Sequence, residues 1–160
     1  MEFHSFAAAG AHFGRLALLG EAVTSHIAEV GAKAIQEDAQ SRIGSYQDGE
    51  GGFPAWANLA PTTVDDRIRK GFTPDDPLLR TGDLRKSYTR HISGSEATIG
   101  SPSLIALYQE QGTATIPPRP VLGPAGFNSK NTLGPVAAVT VIAWICGIGW
   151  KRPTLRLQDL

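Results

Sequence analysis

Apolar residues recur at spacings of three and four positions through the first third of the chain. The stripe begins at Leu16 and ends near Ile43, with polar residues mostly on the other side. This spacing is typical of a long amphipathic helix, which Gly44 is expected to end. We expect Gly20 to separate this helix from a short segment before it, and Gly31 to mark a place of close packing. So long a stripe must be buried against a second layer of structure.

Shorter elements follow, separated by glycines and prolines. The patterns predict a helix that begins at Pro61 or Thr62 and ends at Lys70, a helix over 104–111, one or two helical turns within 78–86, and strands over 87–92 and 97–100. Because a short polar turn joins the two strands, they are expected to form a hairpin. Residues 116–122 are expected to be extended, since three prolines there fix φ and remove backbone donors.

The composition argues against several classes of function. Fifteen basic and fifteen acidic residues cancel, so the chain lacks the positive charge of a dedicated nucleic-acid-binding protein. Cys146 is the only cysteine, which excludes an internal disulfide and a cysteine-based zinc cluster. The length of 160 residues is enough for one domain with an extension, but not for two full domains.

No arrangement of catalytic residues stands out. The four histidines lack metal-ligand spacing, and no serine has the Gly-x-Ser-x-Gly context of a nucleophile. The glycines within 49–52 are not followed by the Lys-Ser or Lys-Thr of a phosphate-binding loop. The sequence therefore predicts a protein that is not an enzyme and that uses no metal or cofactor.

An uncharged segment, Leu133–Trp150, lies between Lys130 and Lys151. Its length reaches that of a membrane helix, but its uninterrupted part, Val136–Cys146, is short for a bilayer and rich in β-branched residues. A core strand, a buried helix and an element covered by a neighbouring subunit all explain this segment. A small membrane-associated protein anchored by residues 133–150 is the less favoured alternative.

Short motifs in the middle of the chain occur in a characteristic order. They are Trp56-x-x-Leu59, Thr62 or Thr63, Leu79-x-Thr81-Gly82-x-Leu84-x-x-Ser87, Ile99-Gly100-Ser101, Ala106-x-x-Gln109-Glu110-x-Gly112-Thr113 and Ile116-Pro117-x-Arg119-Pro120-x-Leu122-Gly123. Each is common alone, but the ordered set resembles the bacteriophage virion morphogenesis or tail completion proteins, small neck proteins that help join heads to tails. The resemblance covers about residues 56–123, and beyond Gly123 the chain departs from the family.

The resemblance implies an α+β fold, in which a long N-terminal helix packs on a small antiparallel sheet with extended loops. Residues 1–123 would form this domain. Residues 124–160 would be an extension whose apolar segment packs on the core or on a neighbouring subunit.

The same resemblance implies a structural virion protein, made in the cytoplasm of the bacterial host. It would form a ring of six subunits between the head connector and the tail tube. Its partners would be its own copies and other neck and tail proteins. DNA would pass through the ring without sequence-specific binding.

Large residues in or beside loops are candidates for subunit or partner contacts. The candidate interface residues are Phe53, Trp56, Phe72, Tyr108, Arg119, Val121 and Leu122. Arg119 lies between prolines, and its guanidinium has two predicted partners, a carboxylate across an interface or one in its own chain. The other motif residues are expected to be structural: Leu79, Thr81, Gly82, Leu84, Gly100, Gly112, Pro117, Pro120 and Gly123.

Overall fold

A helix of 37 residues, α1 (Phe6–Arg42), is the longest element of the computed structural model, which describes residues 4–147. Ser5 begins α1, because its hydroxyl accepts a hydrogen bond from the N–H of Ala8 at 3.1 Å. The alanines at 7–9 then favour helix ahead of the apolar stripe. The predicted break at Gly20 is wrong, since α1 continues through it and Gly20 lies against the Trp144 ring.

The later elements are short except for the last. They are α2 (Pro61–Arg69), α3 (Asp83–Ser87), β1 (Thr89–Ser93), β2 (Glu96–Gly100), α4 (Leu104–Gln111) and α5 (Leu122–Cys146). The bounds predicted for α4 are confirmed. α2 begins at Pro61, one of its two predicted first residues, and ends one residue earlier than predicted. β1 begins later than predicted because Ser87 ends α3, where its hydroxyl donates to the Leu84 carbonyl oxygen at 2.7 Å.

β1 and β2 form a two-stranded antiparallel sheet in which Thr89 lies opposite Gly100. α1 packs against both strands. The side-chain amides of Gln36 and Gln40 donate to the carbonyl oxygen of Tyr88, at 2.8 and 3.0 Å, where the chain enters β1. The α+β class, with a long N-terminal helix on a small antiparallel sheet, is therefore confirmed.

α5 runs antiparallel to α1 along the length of α5. Leu133 packs on Gly31, and the indole N–H of Trp144 donates to the Leu16 carbonyl oxygen at 3.1 Å. A Cβ atom at residue 31 would overlap the Leu133 side chain, so the close packing predicted at Gly31 is confirmed.

The apolar C-terminal segment is helical over 133–146, which excludes the core strand among its predicted forms. Residues 148–150 of that segment lie outside the described residues. The boundary predicted between residues 123 and 124 falls in the first turn of α5, so the fold has no break there. No helix within residues 4–147 combines the length and hydropathy needed to cross a membrane.

The main core lies where the end of α1 meets the start of α5. Its buried residues are Ala39, Ile43, Trp56, Tyr88, Ala106, Val121 and Ala125. Beyond this core, residues 6–30 of α1 and 134–146 of α5 form a two-helix extension, which we call the arm. Each arm helix is covered on the side that faces the other, and large apolar residues remain exposed on both helices.

Candidate functional site

Two of the ordered motifs meet at the core end of α5, although they are distant in sequence. The indole N–H of Trp56 donates to the Pro120 carbonyl oxygen at 3.1 Å. The Arg119 guanidinium donates from Nη2 to the carbonyl oxygens of Ala57 at 2.8 Å and Asn58 at 3.2 Å. These bonds tie the loop before α2 to the extended segment before α5.

Among residues 4–147, no carboxylate pairs with Arg119. Its side chain bonds to backbone carbonyl oxygens of its own chain, and the residue is only 5% exposed. Burial lowers the pKa of this guanidinium, because removal from water disfavours the charged form. Arg119 therefore joins two segments of one subunit.

Trp56 and Val121 are likewise interior, at 5% and 0% exposed. A residue that contacts another subunit must be reachable from outside its own chain. The interface predicted for Trp56, Arg119 and Val121 is thus corrected, because the fold uses all three to close its own core. The sequence indicates that such residues are buried in a contact, but it does not indicate whether that contact lies within one subunit or between two subunits.

Glu110 holds the beginning of α5. Its Oε2 accepts from the N–H groups of Val121 at 2.8 Å and Leu122 at 3.1 Å, and its Oε1 accepts from that of Gly123 at 2.9 Å. Val121, at the N-cap position, makes no side-chain cap. A carboxylate from α4 thus satisfies the free N–H groups of α5 and complements the positive end of its dipole.

Gly112 ends α4 in a backbone conformation that favours glycine. Its φ is +73°, and its N–H donates to the Tyr108 carbonyl oxygen at 2.9 Å. A Cβ atom there would lie 3.0 Å from the Ile116 carbonyl oxygen, which pairs with the Thr113 N–H at 2.9 Å. Pro117 follows on the surface and Pro120 is buried.

The Thr81-Gly82 motif starts α3. The Thr81 hydroxyl donates to the Asp83 carboxylate at 2.6 Å, and Gly82 has a φ of +86° immediately before the helix. Leu79 and Leu84, on either side, pack against the core. These four residues thus shape the entry into α3 and hold it against the core.

The remaining predicted interface residues are reachable to different degrees. Phe53 is partly buried against Gly123, where a Cβ atom would overlap its ring. Phe72 is partly buried, with the guanidinium carbon of Arg80 4.7 Å from its ring centre. Leu122 is partly buried against the core, and Tyr108 is 46% exposed.

The Gly-rich loop over 44–52 is held by a charged group that the sequence analysis missed. Arg42 Nη2 lies 2.6 Å from Glu50 Oε1 and 3.1 Å from Asp38 Oδ2, and the Asn128 amide also donates to Glu50, at 3.1 Å. These hydrogen bonds, first that from Arg42, lower the pKa of Glu50. The loop is thereby bonded to both α1 and α5.

A groove of about 200 Å³ opens between the end of β2 and α4. Gly100 and Leu107 line it, as does Tyr88, which is 0% exposed and whose hydroxyl has no hydrogen-bond partner among residues 4–147. Burial, and then the charge of Glu110, raise the pKa of Tyr88. The sequence marks Tyr88 only as a strand residue.

Large apolar residues are concentrated on two exposed surfaces. The first, which we call the α4 patch, consists of Leu104, Ile105, Leu107 and Tyr108, at 64%, 59%, 46% and 46% exposed. The second is the arm, with Phe6, Phe13 and Leu18 on α1 at 97%, 61% and 83%, and Val139, Ile142 and Ile145 on α5 at 52%, 59% and 48%. Surfaces of this kind bind other apolar surfaces.

No group of three or more His, Cys, Asp or Glu side chains within residues 4–147 is arranged to hold a metal ion. A scan against protein-family models found no match to the chain. Searches of curated proteins and of solved structures likewise found no match.

Proposed function

We propose that this protein is a structural subunit of a tailed phage or prophage, which assembles with its own copies into a ring of six at the neck, between the head connector and the tail tube. The observation that carries the proposal is the pair of exposed apolar surfaces, the arm and the α4 patch. A subunit that must bind both its copies and a neighbouring protein needs two such surfaces.

The resemblance of residues 56–123 to tail completion proteins supports the choice of the neck. Three of the residues that carry it, Trp56, Glu110 and Arg119, make the hydrogen bonds that hold the segment leading into α5. The α4 patch lies before this junction and the arm lies beyond it. The proposed contact with the connector or tail tube is the α4 patch, which includes the candidate interface residue Tyr108, 46% exposed.

The net charge of zero supports the proposal that DNA passes through the central channel of the ring without sequence-specific binding. Fifteen basic and fifteen acidic residues give no net attraction to phosphate, so DNA in transit would not be held. In this proposal the chain forms contacts and catalyses no reaction.

The test uses the purified full chain and phage tails that lack their completing protein. Sedimentation and negative-stain imaging are expected to show a closed ring, in solution or on the tail end. A strict monomer in both settings would refute the proposed function.

A further inference from the structure

α5 carries an uncharged face that the rest of residues 4–147 leaves exposed. Pro135, Ala138, Val139, Ile142 and Ile145 follow one another at helical spacing and are all exposed, and we call them the α5 stripe. No charged residue occurs anywhere in 131–147. A helix that is apolar on every side is normally buried on every side, yet α1 covers only one side of α5.

Within the described part of the chain, α1 presents a second exposed face, on the side opposite to α5. Leu16 and Gly20 contact Trp144 of α5, and Leu18, two residues from each, therefore points the other way. Leu18 is 83% exposed, and Ala22, one turn later, is exposed beside it.

We infer that the α5 stripe of one subunit packs on the Leu18–Ala22 face of a second copy, so that α1 and α5 alternate around the assembly. The inference rests on the proposed ring and names the surfaces that close it. The contact repeats, between subunits, the antiparallel α1–α5 packing that already exists within each subunit.

The positions of the residues along the axes of α1 and α5 fit this contact. Within a subunit Trp144 lies beside Leu16 and Gly20, and Leu133 lies beside Gly31. A rotation about an axis parallel to the arm does not change the height of a residue along that axis. Ile145 of one copy therefore lies at the height of Leu18 of the next copy, and Ile142 at the height of Ala22. Ala22 is small and leaves room for the larger side chain.

The alternative contact between copies is an isologous pair of α5 stripes, which closes as a dimer. That arrangement leaves Leu18 in water. The head-to-tail arrangement covers both faces at once, and the only charged residues beside Leu18 on this part of α1, Arg15 and Glu21, remain at its edges.

Cysteine crosslinking tests the contact directly, because Cys146 is exposed at the end of α5 and is the only native cysteine. In the Leu18→Cys variant, oxidation is expected to link Cys146 of one copy to residue 18 of the next, giving a ladder of dimers, trimers and higher species. The Leu18→Cys/Cys146→Ser variant is the control, and it can give dimers only. Dimers alone in the Leu18→Cys variant would overturn the head-to-tail contact.

A matched pair of substitutions tests it without crosslinks. Ile142 and Ile105 are both 59% exposed, one on the α5 stripe and one on the α4 patch. Ile142→Lys is expected to convert the sedimenting ring to monomers, and Ile105→Lys to leave the ring intact. A ring that survives Ile142→Lys overturns this inference but leaves the proposed function standing, whereas a wild-type chain that is monomeric even on tails overturns both.

Discussion

Replacement of Glu110 tests whether one carboxylate holds the start of α5. In Glu110→Ala the N–H groups of Val121, Leu122 and Gly123 lose their acceptor, and Val121 is 0% exposed, so water does not replace it there. Loss of a helix cap costs about 0.5–2 kcal/mol, and a buried N–H left without a partner costs about 1–3 kcal/mol. We expect Glu110→Ala to lower the free energy of unfolding by about 2–4 kcal/mol.

The Glu110→Gln variant separates charge from shape. Its amide keeps one acceptor oxygen but turns an NH₂ group toward the remaining N–H donors, so we expect a loss of about 1–2 kcal/mol. Gln111→Ala, at the exposed neighbouring position, is the control and should change stability by less than about 0.5 kcal/mol.

Urea denaturation followed by tryptophan fluorescence measures these differences, with Trp56 in the core as a reporter. With a slope of about 2 kcal/mol per molar urea, Glu110→Ala should move the midpoint down by about 1–2 M. Amide exchange at residues 121–123 should accelerate in the same variant. Stability of Glu110→Ala within about 0.5 kcal/mol of the Gln111→Ala control would refute the capping role.

Three further predictions concern other parts of the fold. Tyr88→Phe should raise the unfolding free energy by about 1 kcal/mol, since it removes a buried hydroxyl without a partner among residues 4–147; a loss of that size in urea denaturation would contradict this and show that the hydroxyl has a partner, either a bound water or a residue outside 4–147. Hydrogen bonds from neighbouring basic side chains hold the pKa of Asp66 at about 2, below its ordinary 3.8, so the stability it contributes should be full above pH 3.8 and lost as the pH falls to about 2. Thermal unfolding of Asp66→Asn against wild type across that range measures this, and a difference that does not shrink there would contradict it. Gly126→Ala, in an open position of α5, should stabilise by about 1 kcal/mol, whereas Gly31→Ala should gain less because the added methyl meets α5; equal gains in denaturation midpoint would contradict the close packing.

The local elements of this fold could be predicted from the sequence because each has its own boundary signals. α4 ends at a glycine with positive φ, and α2 begins at a proline, as the patterns indicate. The close packing at Gly31 could also be predicted. A glycine inside a helix lowers its stability, and it is therefore expected where another element packs too closely for a side chain.

Features that depend on distant contacts could not be predicted in this way. The β-branched residues of α5 favour a strand locally. The structure has a helix there, packed on α1, which is distant in sequence. Arg119 illustrates the same limit for the candidate site. Its guanidinium can donate to a carboxylate as well as to backbone carbonyl oxygens. The two carbonyl groups that it binds are 61 and 62 residues away in the sequence. The role of Glu110 is set by where α5 begins, which its own position in α4 does not reveal.

The bonds from Glu110 also have a mechanical consequence. They fasten the last turn of α4 to the first turn of α5, and the Arg119 N–H reinforces the joint by donating to the Gln109 carbonyl oxygen at 2.6 Å. α5 has 25 residues, so a tilt of about 5° at this joint moves its far tip by about 3 Å. Any tilt that this joint transmits from α4 would therefore be larger at the tip of α5, and α1, which packs on α5, would have to move with it.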